Sequence, residues 1–370
     1  MNAREALIAL NMLPGIGPVR VRRLMDHFGS AQEILSRDSR SLTAVQGIGV
    51  ETASIISDWE NRIDLAAELR EVEERGLSVL TQEDEGYPEP LRQSYDPPLA
   101  LYVWGELQPS DCHAIAIVGS RKTSHYGVQT ARQFAFQLAG AGLSIVSGLA
   151  RGIDTHAHEG AIAAKGRTVA VIGSGLGQVY PPENMALAEK IAFGHGAVVS
   201  EFSLHTSPSK KTFPMRNRIV AAWSGAVVVI ECPEWSGARI TANLAAELGK
   251  PIYAVPGQID RPTSAGCNDL IREGATLVTS GQDILDDIST LSSGKPKLAA
   301  ATDEGGQSLH RPVLDGPEQL IHDALDGETL RVDEILTATS LPMQDINAML
   351  LKLEIQGLVR QFPGGRFARK

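Results

Sequence analysis

Seven short, continuous apolar runs punctuate the middle of this chain, at 114–118, 143–146, 168–172, 197–199, 226–230, 252–255 and 275–278. Uninterrupted apolar character over three to five residues suits strands buried on both faces, as in a parallel sheet. Between them lie Ala-rich helical patterns at 128–139, 157–164, 184–193, 215–223 and 239–248. Strands that alternate with helices of this length predict βαβ units and a doubly wound, mostly parallel α/β sheet spanning 76–288.

The 370 residues exceed one typical domain, and both flanks differ in character from the middle. Residues 1–75 carry a weak repeat. Leu13-Pro14-Gly15-Ile16-Gly17 precedes one helical pattern, and Val45-Gln46-Gly47-Ile48-Gly49 precedes another thirty-two positions later. Gly-Ile-Gly between helices resembles a helix-hairpin-helix unit, whose turn glycines can aim backbone N–H groups at a phosphate. Arg20, Arg22 and Arg23 follow the first turn, whereas Glu51 follows the second. The second copy is expected only to pack; for the first, packing and phosphate contact both stay open. A Ser-, Gly-, Lys- and Pro-rich stretch at 289–312 reads as a linker. The segment 313–370 holds helical patterns at 317–325, 332–338 and 343–356, then a hairpin pattern with a Gly-Gly turn, an order that resembles a winged helix. Its third helix offers Gln344, Asp345, Asn347, Lys352 and Glu354, a mixed set rather than a basic face.

The formal net charge is -10, yet two long stretches contain no acid, Cys112 to Ile153 and Phe202 to Ile230. The second includes Lys210, Lys211, Phe213, Arg216, Asn217 and Arg218. Cations that track phosphates, beside an aromatic that stacks on a base, are the ingredients of a single-stranded nucleic acid site. In an open parallel sheet, ligands bind beyond the carboxyl ends of the strands, near a switch in strand order. Those ends here carry Gly119-Ser120-Arg121, the segment from Ser147 and Gly148 through Arg151 to Asp154, and Ser200-Glu201 followed by the basic block. Both acid-free stretches should therefore converge on one edge. Arg121 and Arg151 each sit where a helix should start, which suggests phosphate contact aided by backbone N–H groups. The alternative for both is pairing with Asp154 or Glu201 to hold the loops. Arg218, deeper in its helix, is expected to be structural. Phe213 is expected to stack on a base, the alternative being a hydrophobic staple for the helix that follows.

Other chemistry finds less support. Gly173, Gly175 and Gly177 lack the spacing of a dinucleotide fingerprint and fall after the third run rather than the first, so a tight turn is the better reading. His156 and His158 face different ways on a helix, and Asp154 suits a helix cap better than a general base. Cys112, Cys232 and Cys267 form no CxxC pair, so neither disulfide nor metal is expected, and no cofactor. No apolar run reaches the ~18 residues of a membrane span. Met1-Asn2-Ala3-Arg4-Glu5 lacks a signal-peptide layout, so a cytoplasmic protein is expected.

Gly119-Ser120-Arg121, Ser147 to Asp154, Phe213 to Ala221 and Ala254-Val255-Pro256-Gly257 occur in the order seen in the DprA/Smf family. The chain resembles that family over most of 80–285, with flanking domains similar to its accessory ones. The resemblance implies a Rossmann-like homodimer that binds and protects incoming single-stranded DNA in natural transformation and helps load the RecA recombinase. It implies no catalysis. By the same resemblance, Arg121 is the arginine of the Gly-Ser-Arg motif, Lys210 and Phe213 are the loop lysine and stacking aromatic, and Arg216 and Asn217 belong to the next block. Ser120, Gly148, Arg151 and Lys211 complete the expected DNA-binding set. The competing function is a nucleotide-processing enzyme of the LOG phosphoribohydrolase type, whose Pro-Gly-Gly-x-Gly-Thr signature is replaced here by Ser236-Gly237-Ala238-Arg239-Ile240-Thr241.

Overall fold

The structure is a computed structural model that describes residues 1–291 and, discontinuously, part of 320–369. It forms two units, Met1–Lys295 and Pro296–Lys370. In the first, nine strands build one sheet: β1 (Ser78–Thr81), β2 (Ala100–Gly105), β3 (Ala114–Gly119), β4 (Ser144–Ser147), β5 (Thr168–Val171), β6 (Gly196–Ser200), β7 (Ala226–Ile230), β8 (Ile252–Ala254) and β9 (Thr276–Leu277). Their order is β1-β2-β6-β5-β4-β3-β7-β8-β9.

The seven apolar runs are β3 to β9, and these pair in parallel. Both faces are covered: on β3, Ala116 and Val118 face one core while Ile115 and Ile117 face the other. The sequence reading did not anticipate β1 and β2, which pair antiparallel with each other and through β2 with β6. Pro97-Pro98 and Gly105 bracket a six-residue apolar run that lacks the strand–helix alternation which betrayed the others.

The chain leaves β3 and β4 through the helices His125–Gly140 and Ile153–Ala163, which pack with Phe134 and Ala157 in one core. It enters and leaves β7 through Thr212–Trp223 and Gly237–Glu247, whose Ile219, Trp223, Ala238 and Ala242 lie in the other. β3 and β7 are adjacent, with Gly119 opposite Ile230, and the connections that follow them diverge to opposite faces. A crevice must open at that point, beyond the carboxyl ends of the two strands.

The N-terminal helices are fastened to this sheet. Ile8 and Val72 share a core with Tyr102 and Leu204, and the Asn11 amide donates to the Glu201 carbonyl at 2.8 Å. Gly17 and Gly49 cap the helices Pro18–Phe28 and Val50–Ser57, and Gly15 and Gly47 take positive φ in the turns before them. Arg20 donates to the Gly15 carbonyl and Arg22 to that of Tyr95, so both turn back onto protein backbone.

In the second unit, the helix Val332–Thr339 accompanies a sheet of β10 (Leu330–Arg331), β11 (Val359–Phe362) and β12 (Arg366–Arg369), ordered β10-β12-β11. Ile321, Leu325, Ile335, Leu350, Val359 and Phe367 form its core. The antiparallel β11–β12 pair is the expected wing. The expected linker at 289–312 lies almost wholly outside the described residues, as do the Gly-Gly turn and Gln344, Asp345, Asn347, Lys352 and Glu354. Among the described residues no helix is long and apolar enough to cross a membrane.

Candidate nucleic-acid interface

A cavity of about 500 Å³ occupies the crevice. The Gly119–Lys122 loop after β3 forms one wall, and Pro233, Ser236 and Gly237 after β7 form the other. Arg216, Asn217 and Val220 of the Thr212–Trp223 helix line it as well, with Gly148 and Asp154. This size lies in the range of small-ligand sites.

The walls leave no slack. A Cβ at Gly119 would lie 1.9 Å from the Ile230 carbonyl oxygen, so only glycine permits the close β3–β7 approach. Gly152, with φ near 80°, brings the next loop so near that a Cβ would sit 2.2 Å from the Ser120 carbonyl. Ser120 is itself buried; its hydroxyl donates to the Lys122 carbonyl at 2.9 Å and accepts from the Lys122 amide at 3.1 Å. This local turn leaves Arg121 and Lys122 exposed at its tip.

Both acid-free stretches meet here, as expected. The Arg121 guanidinium lies 4.8 Å from the centroid of the Phe213 ring, a cation–π distance. Phe213 stands in the first turn of the Thr212–Trp223 helix rather than before it, and is half-buried. Its ring fills the space over Gly173, where a Cβ would lie 2.8 Å from Cδ1. Gly175 and Gly177 instead donate to the carbonyls of Thr206 and Leu204, which fixes the loop that carries the lysines. These three glycines pack protein against protein, as the turn reading held. Lys210 and Lys211 are exposed, with no side-chain hydrogen bond or ion pair among the described residues.

Arg216 and Arg218 lie inward. Arg218 pairs with Glu201 and with Asp96, the latter at 3.3 Å, and is the structural cation that its depth in the helix predicts. Burial pushes the Glu201 carboxyl up to about 7, against the pull of Arg218. Arg216, expected among the DNA contacts, is only 3% exposed and donates to the Val171 carbonyl. It reaches the cavity as part of its floor, next to Asp154. Burial drives the Asp154 carboxyl up and the Arg216 guanidinium down to about 10, while each charge partly restores the other.

Carboxylates already engage amides in the turns before both helices, so fewer N–H groups remain there for a phosphate than expected. Glu231, just past β7, accepts from the Ser124 amide at 2.8 Å and the Thr123 hydroxyl at 2.7 Å, and also from the Ser124 hydroxyl. Its carboxylate sits at the start of His125–Gly140, where an acid is favoured by the helix dipole. Asp154 does not cap its own helix; it accepts from the amides of Gly148 at 3.1 Å and Ala150 at 3.4 Å and so ties down the loop before it. The Gly148 amide is therefore engaged, and the space beside its Cα holds the Arg216 guanidinium. Charge for a ligand comes from side chains at the rim.

Arg151 pairs neither with Asp154 nor with Glu201. It is exposed, bonded to Glu183, and its guanidinium lies 5.8 Å from the centroid of the Tyr180 ring. The Asn217 amide reaches the Gly237 carbonyl at 3.3 Å across the cavity mouth. Sequence reasoning missed Lys122, next to Arg121 in the same acid-free stretch, and Tyr180, which stands in the β5–β6 connection ahead of two prolines.

Comparison with known proteins agrees with this fold. The sequence matches the family described as DNA recombination-mediator protein A over residues 78–289, the DprA winged helix domain over 307–365 and a SAM-like helix-hairpin-helix tandem over 7–58. Protein Smf of Synechocystis sp. is 33% identical, with all of both chains covered. The DNA processing protein DprA of Bacillus subtilis is 39% identical over 58% of this chain and 72% of its own. Among solved structures, DNA processing protein A from Streptococcus pneumoniae superposes with a TM-score of 0.67 at 32% identity, covering 77% of this chain and 98% of that one. The Helicobacter pylori protein, whose structure concerns its single-stranded DNA binding mode, gives 0.51 at 30% identity over 58% and 96%.

Proposed function

Since the chain belongs to the DNA recombination-mediator protein A family, also called DprA or Smf, we propose that it binds single-stranded DNA across the rim of this crevice. One observation carries the reading: Arg121, exposed at the crevice, holds its guanidinium 4.8 Å from the centroid of the half-buried Phe213 ring, which packs over Gly173 just past β5. Single-stranded DNA exposes both phosphates and base faces, and this lip meets both. A duplex hides its base faces. The wider role is the family's: to protect incoming DNA during natural transformation and pass it to the RecA recombinase, as a cytoplasmic homodimer without catalysis.

Equilibrium binding of single- and double-stranded oligonucleotides at two salt concentrations tests the proposal. Arg121 and Lys122 line the cavity, and Lys210 and Lys211 are exposed on the loop just before Phe213. Four phosphate contacts to a single strand give a slope of log K against log salt of about −3. Equal affinity for duplex, or no dependence on salt, would overturn the reading. The mediator role has its own readout: DNA coated with a single-strand-binding protein should acquire RecA filament faster with this protein present, and no acceleration removes that part alone.

A further inference from the structure

Four side chains form a continuous ladder along the rim. The Arg121 guanidinium covers Phe213, the Phe213 and Tyr180 ring centroids are 5.9 Å apart, and the Arg151 guanidinium lies over Tyr180. The second cation–ring pair repeats the first at the next position along the edge. Tyr180 is half-buried, and among the described residues its hydroxyl accepts a hydrogen bond from Arg151 alone, at 3.4 Å.

From this repeat we infer that Tyr180 is a second base platform, so that the site holds two neighbouring nucleotides, one base on Phe213 and the next on Tyr180. The inference rests on the proposed single-stranded DNA binding. The rings are tilted by 52° and their separation exceeds the ~3.4 Å rise between stacked bases, so the two bases are pulled apart rather than left stacked on each other. Arg151 then follows the phosphate beyond the second base, as Arg121 does the first, and Glu183 holds it over the ring until DNA arrives.

The opposite end of the cavity gives the path its direction. Beyond Ser236 and Gly237 a second groove opens beside Trp235, which is 89% exposed. That ring alone would suit a base, but Glu234, Asp269 and Glu273 line the groove, and its Arg239 is already paired with Glu273. Arg239 offsets Glu273 and Arg272 offsets Asp269, which leaves Glu234 as the unpaired charge of the groove among the described residues, and an acid there disfavours a phosphate. The strand therefore runs from the cavity toward Tyr180 and away from Trp235.

The test uses the full-length protein and oligothymidylate in which single positions are made abasic in turn. Wild type should show two adjacent positions at which loss of the base weakens binding, each by about 5- to 150-fold. Tyr180→Leu should abolish the effect at one of them and Phe213→Leu at the other. Tyr180→Phe should bind within about twofold of wild type, and so should Trp235→Ala. One sensitive position in wild type overturns the inference even if Tyr180→Leu fails to fold. So does a folded Tyr180→Leu variant that binds as wild type does while Phe213→Leu is weakened, and in that case single-stranded DNA binding itself still stands. No binding of any single strand by wild type removes both.

Discussion

The guanidinium of Arg216 fills the place where Gly148 has no side chain: a Cβ built on Gly148 would lie 1.9 Å from Nη1. The two residues come from the turn just after β4 and from the Thr212–Trp223 helix, and both line the cavity. Gly148→Ala should push Arg216 off the Val171 carbonyl and cost about 1–3 kcal/mol, the usual range for overpacking. Urea titration of the two proteins measures it. An unchanged midpoint would mean that the floor adapts freely.

At the rim, the same kind of change should alter binding rather than stability. Lys210 and Lys211 are exposed, so Lys210→Ala should leave the thermal midpoint within about a degree. It should also lower the salt slope for single strands by about 0.7, one phosphate contact. Phe213→Ala should weaken binding by about 1–3 kcal/mol at every salt concentration with the slope kept. Fluorescence anisotropy at several salt concentrations separates the two signatures.

Arg218 gives the contrasting case of a cation that lies in the same block yet serves the fold. Its loss in Arg218→Ala strands Glu201, a carboxylate buried to 6% exposure, and should cost about 3–5 kcal/mol at pH 8. Because burial already holds the Glu201 carboxyl near 7, a proton relieves the stranded charge as pH falls. The destabilisation should therefore shrink toward pH 5. Chemical melts of both proteins at the two pH values decide it; an equal penalty at both would mean that Glu201 never takes the proton.

His158 sets an acid limit. It is fully buried; Thr168 donates its hydroxyl proton to the Ile145 carbonyl, so the hydroxyl oxygen accepts from His158 Nδ1 at 2.7 Å. Nε2 is then an acceptor with no partner. Burial first, and the Arg216 charge second, push the imidazole down to about 3. The unfolded chain takes up a proton near pH 6.5 while the folded one does not, so stability from this group is complete above 6.5 and lost as pH falls toward 3. Between pH 6.5 and 5 that amounts to about 2 kcal/mol. His158→Gln should show a flatter acid limb in urea melts from pH 5 to 7.5, and an identical limb would refute the assignment.

The sheet was legible where the sequence repeats itself. The run 226–230 is β7 to the residue, and the other six runs fall within two residues of their strands, because a strand covered on both faces is built mainly from apolar residues. β1 and β2 escaped because an antiparallel addition follows no such rhythm. At the site, chain position relative to the strand ends anticipated that Arg121 and Phe213 come together and that Arg218 turns inward to an acid. Arg216 and Gly148 were misjudged in accessibility, since only the three-dimensional approach of β4 to a helix some seventy residues later shows that one fills the other's vacancy. Tyr180 and Glu231 went unnoticed for a related reason: each owes its role to a neighbour far away in sequence, Phe213 in one case and Ser124 in the other.

Glu231 has a consequence for which small molecules this scaffold tolerates. A nicotinamide or flavin dinucleotide would bring its pyrophosphate to the start of the first helix after β3, and there it would meet a carboxylate already locked in by Thr123 and Ser124. A carboxylate at that spot disfavours a pyrophosphate where the architecture otherwise invites one. On the proposed reading phosphate meets the outer lip instead, and a lip, unlike a closed cup, lets a long polymer pass through at both ends.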